Sequence, residues 1–194
     1  MKIRIICVAY HRAIPLRILI DSFLVQTDPR WELNIIHDGE APQDVKEVIA
    51  LYDDPRIIYT ETEKVNGFWG HPNRSAMLQA IETNPKDFIL MTNDDNYYVP
   101  IFVQTFLGQE TPRIGLIFCN TVHSYMGYNV LQTRVAENYI DMGSFVVRAD
   151  VAKKVGFNHK HLSADGRYAI ECADYCRAKK LMIVQINRPF FIHN

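Results

Sequence analysis

The chain has 194 residues, 48% hydrophobic and 22% charged, with a net charge of −1. That balance supplies enough apolar material for one α/β core and excludes a disordered chain, and the lack of a basic excess argues against a nucleic-acid partner. The longest apolar runs fall short of a membrane span: Ile14 to Ile20 is interrupted by Arg17, and Met1-Lys2-Ile3-Arg4 leads into a strand, so a cytoplasmic protein without an integral membrane segment is expected.

The first apolar run, Ile3 to Ala9, is followed by the polar loop Tyr10-His11-Arg12 and by a helix from Pro15 with Leu16, Leu19, Ile20, Phe23 and Leu24 on one face. Leu33 to Ile36 predicts a second strand ending in His37-Asp38-Gly39, and Val45, Val48, Ile49 and Tyr52 repeat at helical spacing after Asp44. Arg56 to Tyr59 reads as a short third strand after the turn Asp53-Asp54-Pro55. The segment Asn66 to Arg74 is loop-like and precedes a helix bearing Ala76, Met77, Ala80 and Ile81. Arg74 falls in that helix's first turn, where the dipole disfavours a cation, so it either answers to an anion or snorkels into solvent.

Phe88 to Met91 is too short for a helix and reads as a strand buried on both faces, breaking at once into Thr92-Asn93-Asp94-Asp95-Asn96. Pro100 suits a first helical position. Asp94 and Asp95 are thereby expected at the carboxyl end of a central strand, where open α/β sheets bind ligands. Adjacent carboxylates repel unless a cation lies between them, and a hard ion such as Mg²⁺ or Mn²⁺ resolves that repulsion. An Asx-rich turn that caps the next helix is the other reading.

Ile114 to Asn120, after Pro112 and Arg113, is the next strand, and the regular alternation ends there. Tyr125 to Arg134 and Ile140 to Arg148 read as shorter β pieces beside the sheet, with Gly127 and Gly143 as bends, and Asp150 suits the cap of a short helix to Val155. Asn158 to Arg167 is a polar loop, a helix runs from about Asp165 to Lys179, and Met182 to Ile186 is a last strand before Phe190-Phe191-Ile192-His193-Asn194. Cys7, Cys119, Cys172 and Cys176 lack zinc-type spacing and read as core residues.

Taken together, the strand-end loops resemble those of family-2 glycosyltransferases. Tyr10-His11-Arg12 is similar to that family's Tyr-Asn-Arg, Ser22 to Gln26 to its Ser-x-x-x-Gln, and His37-Asp38-Gly39-Glu40 with Asp44 to its Asp-Asp-Gly-Ser element. Thr92-Asn93-Asp94-Asp95-Asn96 is similar to its Asp-x-Asp region. Two departures stand out: His37 replaces the first acid of the second-strand element, and Asn93 occupies one alignment of the first acid of Asp-x-Asp.

The resemblance implies a single GT-A domain over 1–194, a Rossmann-like, mostly parallel sheet flanked by helices with a small β-rich acceptor-side insertion. Its nucleotide-sugar half would be 1–120 and its acceptor-side half 121–194. It further implies metal-dependent, inverting transfer from a nucleotide sugar, UDP-linked by the family's commonest habit, to a saccharide or glycan hydroxyl, as in polysaccharide biosynthesis. Nucleotide contacts fall on Ala9, Tyr10, Arg12, Asp38, Arg74 and Asp94, with Asp38 accepting from the base and Asp94 facing the ribose or the metal shell. Asp95 and His193 would hold Mn²⁺ or Mg²⁺, Asp141 would lie on the acceptor side, and Asp165 would be the general base. Each has a plainer alternative: Asp165 as a helix cap, Asp141 as a turn residue, His193 as a packed terminal residue. Nucleotidyl transfer would need a Gly-rich, arginine-containing loop after the first strand, and Tyr10-His11-Arg12-Ala13 does not provide it. An aspartyl-phosphate hydrolase would need its acids after the first strand. A catalytically idle nucleotide-sugar-binding or partner-docking domain remains as the rival class.

Overall fold

The computed structural model describes residues 1–109, 111 and 113–194; Pro112, expected just before a strand, lies outside them. The elements are β1 (Ile3–Ala9), α1 (Ala13–Leu24), β2 (Trp31–His37), α2 (Gln43–Ile49), β3 (Ile57–Glu61), α3 (His71–Ala80), β4 (Phe88–Asn93), β5 (Tyr97–Tyr98), α4 (Phe102–Leu107), β6 (Ile114–His123), β7 (Asn129–Leu131), β8 (Phe145–Arg148), α5 (Ala149–Val155), α6 (Ala164–Ala178) and β9 (Met182–His193). They form one sheet in the order β3-β2-β1-β4-β8-β6-β9-β5, with β7 paired to β6. The long pairings, β3 to β2, β2 to β1, β1 to β4 and β6 to β9, are parallel. Those of β5, β7 and β8 are short and antiparallel.

Side chains alternate across the sheet, so each central strand feeds two cores. Ile3, Ile5 and Cys7 of β1 join Leu90 of β4 and Leu16, Leu19 and Phe23 of α1 in one core, while Ile6 joins Met91, Leu78 of α3 and Tyr168 of α6 in the other. This is why the apolar run at Phe88 to Met91 is continuous rather than alternating. Phe23 contacts Trp31 and Tyr98 with centroids 5.8 and 4.9 Å away, and its truncation to Ala would cost about 3–5 kcal/mol.

Four elements differ from the expectation. The helix expected at Pro100 begins at Phe102: Val99 to Phe102 is a turn closed by the Phe102 amide on the Val99 carbonyl at 2.9 Å, and the Pro100 carbonyl accepts the Thr27 amide at 2.8 Å. The segment expected beside the sheet enters it instead, with β8 seated between β4 and β6. Asp150 lies inside the first turn of α5, paired to Arg148, rather than at its cap. The last strand continues seven residues past Ile186 to His193, beyond an irregularity in which Asn120 pairs with Pro189 directly after Cys119 pairs with Ile186.

Candidate active site

The carboxyl ends of β1, β2 and β4 converge with the start of α3. Gly70 makes this approach possible: it has φ +75°, and a Cβ there would come within 2.4 Å of Val8 Cγ1. Its backbone thus rests on β1, and α3 carries Arg74 beneath the ends of β1 and β4. Arg74 is 1% exposed. It donates to the Trp69 carbonyl at 2.6 Å, to the Thr92 carbonyl at 3.3 Å and to Asn93 Oδ1, while its buried Nε has no hydrogen-bond partner. No carboxylate pairs with it among the described residues. Burial brings its pKa down to about 10. Beneath it, His71 is pushed down to about 4 by burial and by the Arg74 charge; its Nδ1 faces Arg74 Nη1 at 3.3 Å and its Nε2 faces the His161 carbonyl at 3.2 Å.

Asp38, at the end of β2, accepts from the Asn66 amide at 2.8 Å, the Gly67 amide at 3.0 Å and Asn73 Nδ2 at 2.9 Å. Three of its roughly four acceptor positions are filled, leaving one for a ligand N–H. With Arg74 it clamps the loop that bears Phe68 and Trp69, both at positive φ, and Trp69 stays 61% exposed. His37 is fully buried, with Nδ1 2.8 Å from the Gly39 carbonyl and Nε2 receiving the His11 amide at 3.2 Å, so it shapes the loop at the position where the family's element carries an acid. Ala9 is buried too, its carbonyl taken by the Asp38 amide at 3.0 Å, and it does not line the hollow that Val8, Tyr10, Arg12 and Asp38 border.

The adjacent acids have their cation, and it is Arg12. Its Nη2 lies 2.6 Å from Asp94 Oδ1 and its Nη1 pairs with Asp95 Oδ2. Asp94 also accepts the Tyr10 amide at 2.9 Å; burial still pushes its carboxyl up to about 6 against the pull of Arg12. Asp95 keeps one buried oxygen, Oδ1, without a partner, while its carbonyl accepts Asn194 Nδ2 at 2.6 Å. The pair lies in a turn, but neither carboxylate caps the next helix, α4, whose N-cap is Ile101 without a side-chain cap bond.

On the other side, Asp141 lies between two histidines, His123 Nε2 at 2.7 Å and His193 Nδ1 at 3.3 Å. The second contact is close enough for charge attraction but off the hydrogen-bond direction, and the buried Nδ1 has no hydrogen-bond partner. Burial would raise Asp141, yet the two rings hold its carboxyl below the usual range. Asp165 is the second residue of α6, which begins at Ala164 after Ser163, so it is not the cap. It accepts the Gly166 amide at 2.7 Å, and burial raises its pKa, helped by the Asp141 charge.

Three hollows join these groups into one groove. One of about 420 Å³ runs from Asp38 and Tyr10 to Arg74 and Asn93; one of about 200 Å³ shares Trp69, Arg74 and Asn93 with it and reaches Asp141, Asp165 and His193. The third, about 710 Å³, shares Asp141, Leu162, Asp165 and His193 with the middle one and is bordered by Tyr125, Met126 and Val130.

No protein-family model matches the sequence, and no curated protein matches it. Solved structures do. S. aureus TarS 1-349 in complex with UDP-GlcNAc aligns with a TM-score of 0.77 at 15% identity, over 100% of this chain and 58% of that one. The mannosyltransferase PcManGT from Pyrobaculum calidifontis, in complex with GDP-Man and Mn²⁺, aligns with a TM-score of 0.73 at 13% identity, over 99% of this chain and 56% of that one. The chain has the GT-A glycosyltransferase fold. It spans 60% of TarS 1-349, so the likeness concerns fold and not the whole of either neighbour.

Within this GT-A fold the anticipated residues divide into two groups. Tyr10, Arg12, Asp38, Arg74, Asp94 and Asp95 gather at the first, and Asp141, Asp165 and His193 at the second. His193 lies against Asp141 and also feels the charge of Asp95. The sequence reading missed His123, Asn73, His71 and Asn96. His123 ends an apolar strand just as Asp94 does, but that strand was expected to stop at Asn120. Among the described residues no helix is long and apolar enough to cross a membrane.

Proposed function

We propose that the chain is a glycosyltransferase that binds a nucleotide sugar in the hollow between Asp38 and Arg74 and passes the sugar, with inversion, to a hydroxyl of a saccharide or glycan held beyond Asp165. The observation that carries this reading is the polarity of the groove. One end holds a buried guanidinium, Arg74, that no carboxylate pairs with among the described residues, and the junction with the other holds a desolvated carboxylate, Asp165. A fixed cation in a dry site stabilises the negative charge that grows on a departing diphosphate.

In this reading Asp38 uses its remaining acceptor position for a uracil N3–H, Tyr10 lies beside the base, and Arg74 faces the diphosphate. Asp95, with Oδ1 buried and unpartnered and Arg12 neutralising the opposite oxygen, fits a hard divalent cation that substrate phosphates would also ligate. When bound, that ion supplies Lewis-acid stabilisation of the leaving diphosphate. Asp165 takes the proton from the acceptor hydroxyl as that oxygen attacks the anomeric carbon. Its raised pKa makes it a better proton acceptor than a solvated aspartate. With one base and no enzyme nucleophile, the displacement is single and the anomeric configuration inverts.

Thermal melting of the full chain across UDP- and GDP-sugars, with Mn²⁺, with Mg²⁺ and with chelator, tests the donor assignment. At least one donor should raise the midpoint, since ligands that bind only the folded state stabilise it. No shift with any donor under any cation condition would refute it.

A further inference from the structure

We propose that His123, Asp141 and His193 form a divalent-cation site of their own on the acceptor side of the groove, taking a borderline metal such as Zn²⁺ without nucleotide. This goes beyond the transferase reading, which calls for a cation only at Asp95 with the diphosphate.

The backbone builds the pair of histidines. β6 and β9 run parallel with His123 and His193 as register partners, so both rings leave the sheet on one face, with centroids 5.5 Å apart. That register depends on the irregularity at Cys119 to Thr121, where the pairing steps from Ile186 to Pro189 and then to Phe191. Without the extra β9 residues the two histidines would not meet. Asp141 enters from the loop before Met142 and presents one oxygen to each ring, at 2.7 and 3.3 Å. All three donor atoms lie within 4.8 Å of one another. A tetrahedral zinc site with bonds near 2.0–2.1 Å needs its ligand atoms about 3.4 Å apart, so small side-chain rotations close this set on an ion.

Donor chemistry selects the ion. Two imidazoles and one carboxylate suit Zn²⁺ more than Mg²⁺, which prefers oxygen and an octahedral shell. Three protein ligands leave a fourth position open, and all three residues border the 710 Å³ hollow. His193 Nδ1 is buried without a hydrogen-bond partner, as a ligand atom awaiting a cation would be. Tyr125 packs against both rings, with centroids 5.1 Å from His123 and 5.4 Å from His193. Asp95 is near enough for its charge to act on His193, but its carboxylate is paired with Arg12 and is not one of the three donors.

Calorimetric titration of the full chain with ZnCl₂, and separately with MnCl₂, in the absence of nucleotide tests this. One equivalent of Zn²⁺ should bind, more tightly than Mn²⁺, and with unchanged affinity in Asp95→Ala. His123→Ala and His193→Ala should each weaken it by more than about a hundredfold, beyond the usual loss from removing an outer-sphere partner. Metal-free melting curves report whether each variant folds; should His123→Ala not fold, His193→Ala decides. Co²⁺ in place of Zn²⁺ should give visible absorption that both histidine variants abolish. No nucleotide-free binding by the parent chain, or affinity lost in Asp95→Ala and kept in the folded histidine variants, would overturn the site and mark the triad as a hydrogen-bonded cluster only. Nucleotide-sugar melting shifts are read separately, so either result leaves the transferase reading to its own test.

Discussion

The two ends of the groove are built on opposite electrostatic plans. At the donor end the buried group without a counter-ion is a cation: Arg74 has no carboxylate partner among the described residues, while Asp94 and Asp95 are paired with the exposed Arg12 and Asp38 accepts three N–H donors. At the acceptor end it is a carboxylate: Asp165 is desolvated and has no ion pair among the described residues, whereas its neighbour Asp141 is held by His123 and His193. On the proposed reading, charge separation along one groove, rather than any single motif, would distinguish a place for a leaving anion from a place for proton abstraction.

Breaking the acceptor end should have the largest effect. Asp165→Asn keeps the shape and removes the basicity, so transfer at saturating donor should fall about 10²- to 10⁴-fold with nucleotide affinity and melting temperature nearly unchanged. A rate close to that of the parent chain would shift the base to Asp141. Breaking the donor end is milder. Arg74→Met should weaken UDP binding roughly ten- to a hundredfold, the worth of one or two hydrogen bonds to a charged group, while leaving uridine binding alone; calorimetry with both ligands checks this. Equal losses for UDP and uridine would mean that Arg74 shapes the loop instead of reading phosphate.

The smallest effect concerns pH. His71 is held neutral beneath Arg74, with its folded pKa near 4 against an ordinary 6.5. A depressed pKa adds stability that is fully present above pH 6.5 and lost as the pH falls toward 4, amounting to about 3 kcal/mol at most. His71→Gln should therefore flatten the decline of the denaturation midpoint between pH 6.5 and 4. An unchanged slope would show that other groups set the acid limit.

Much of the donor end was legible because its residues other than Arg74, which lies in α3, follow an apolar strand: Tyr10 and Arg12 after β1, Asp38 after β2, Asp94 and Asp95 after β4. Alternating strands and helices then fix which ends share an edge. The acceptor end was less legible because its contacts depend on irregular pairing. Pro189 reads as the end of a strand, yet it sits at the irregularity through which β9 continues to His193. His123 was overlooked for the same reason, its partners lying 18 and 70 residues away in sequence. Arg12 could not be foreseen as the cation between Asp94 and Asp95, since only the β1 to β4 pairing brings those loops together.

The most direct test of the charge-separated groove is the kinetics of nucleoside diphosphate release from a donor identified by melting, in Arg74→Met and Asp165→Asn side by side. Arg74→Met should raise the donor concentration needed for half-maximal rate, and Asp165→Asn should lower the maximal rate with that concentration nearly fixed. The same parameter moving in both variants, or no release by the parent chain, would contradict the account.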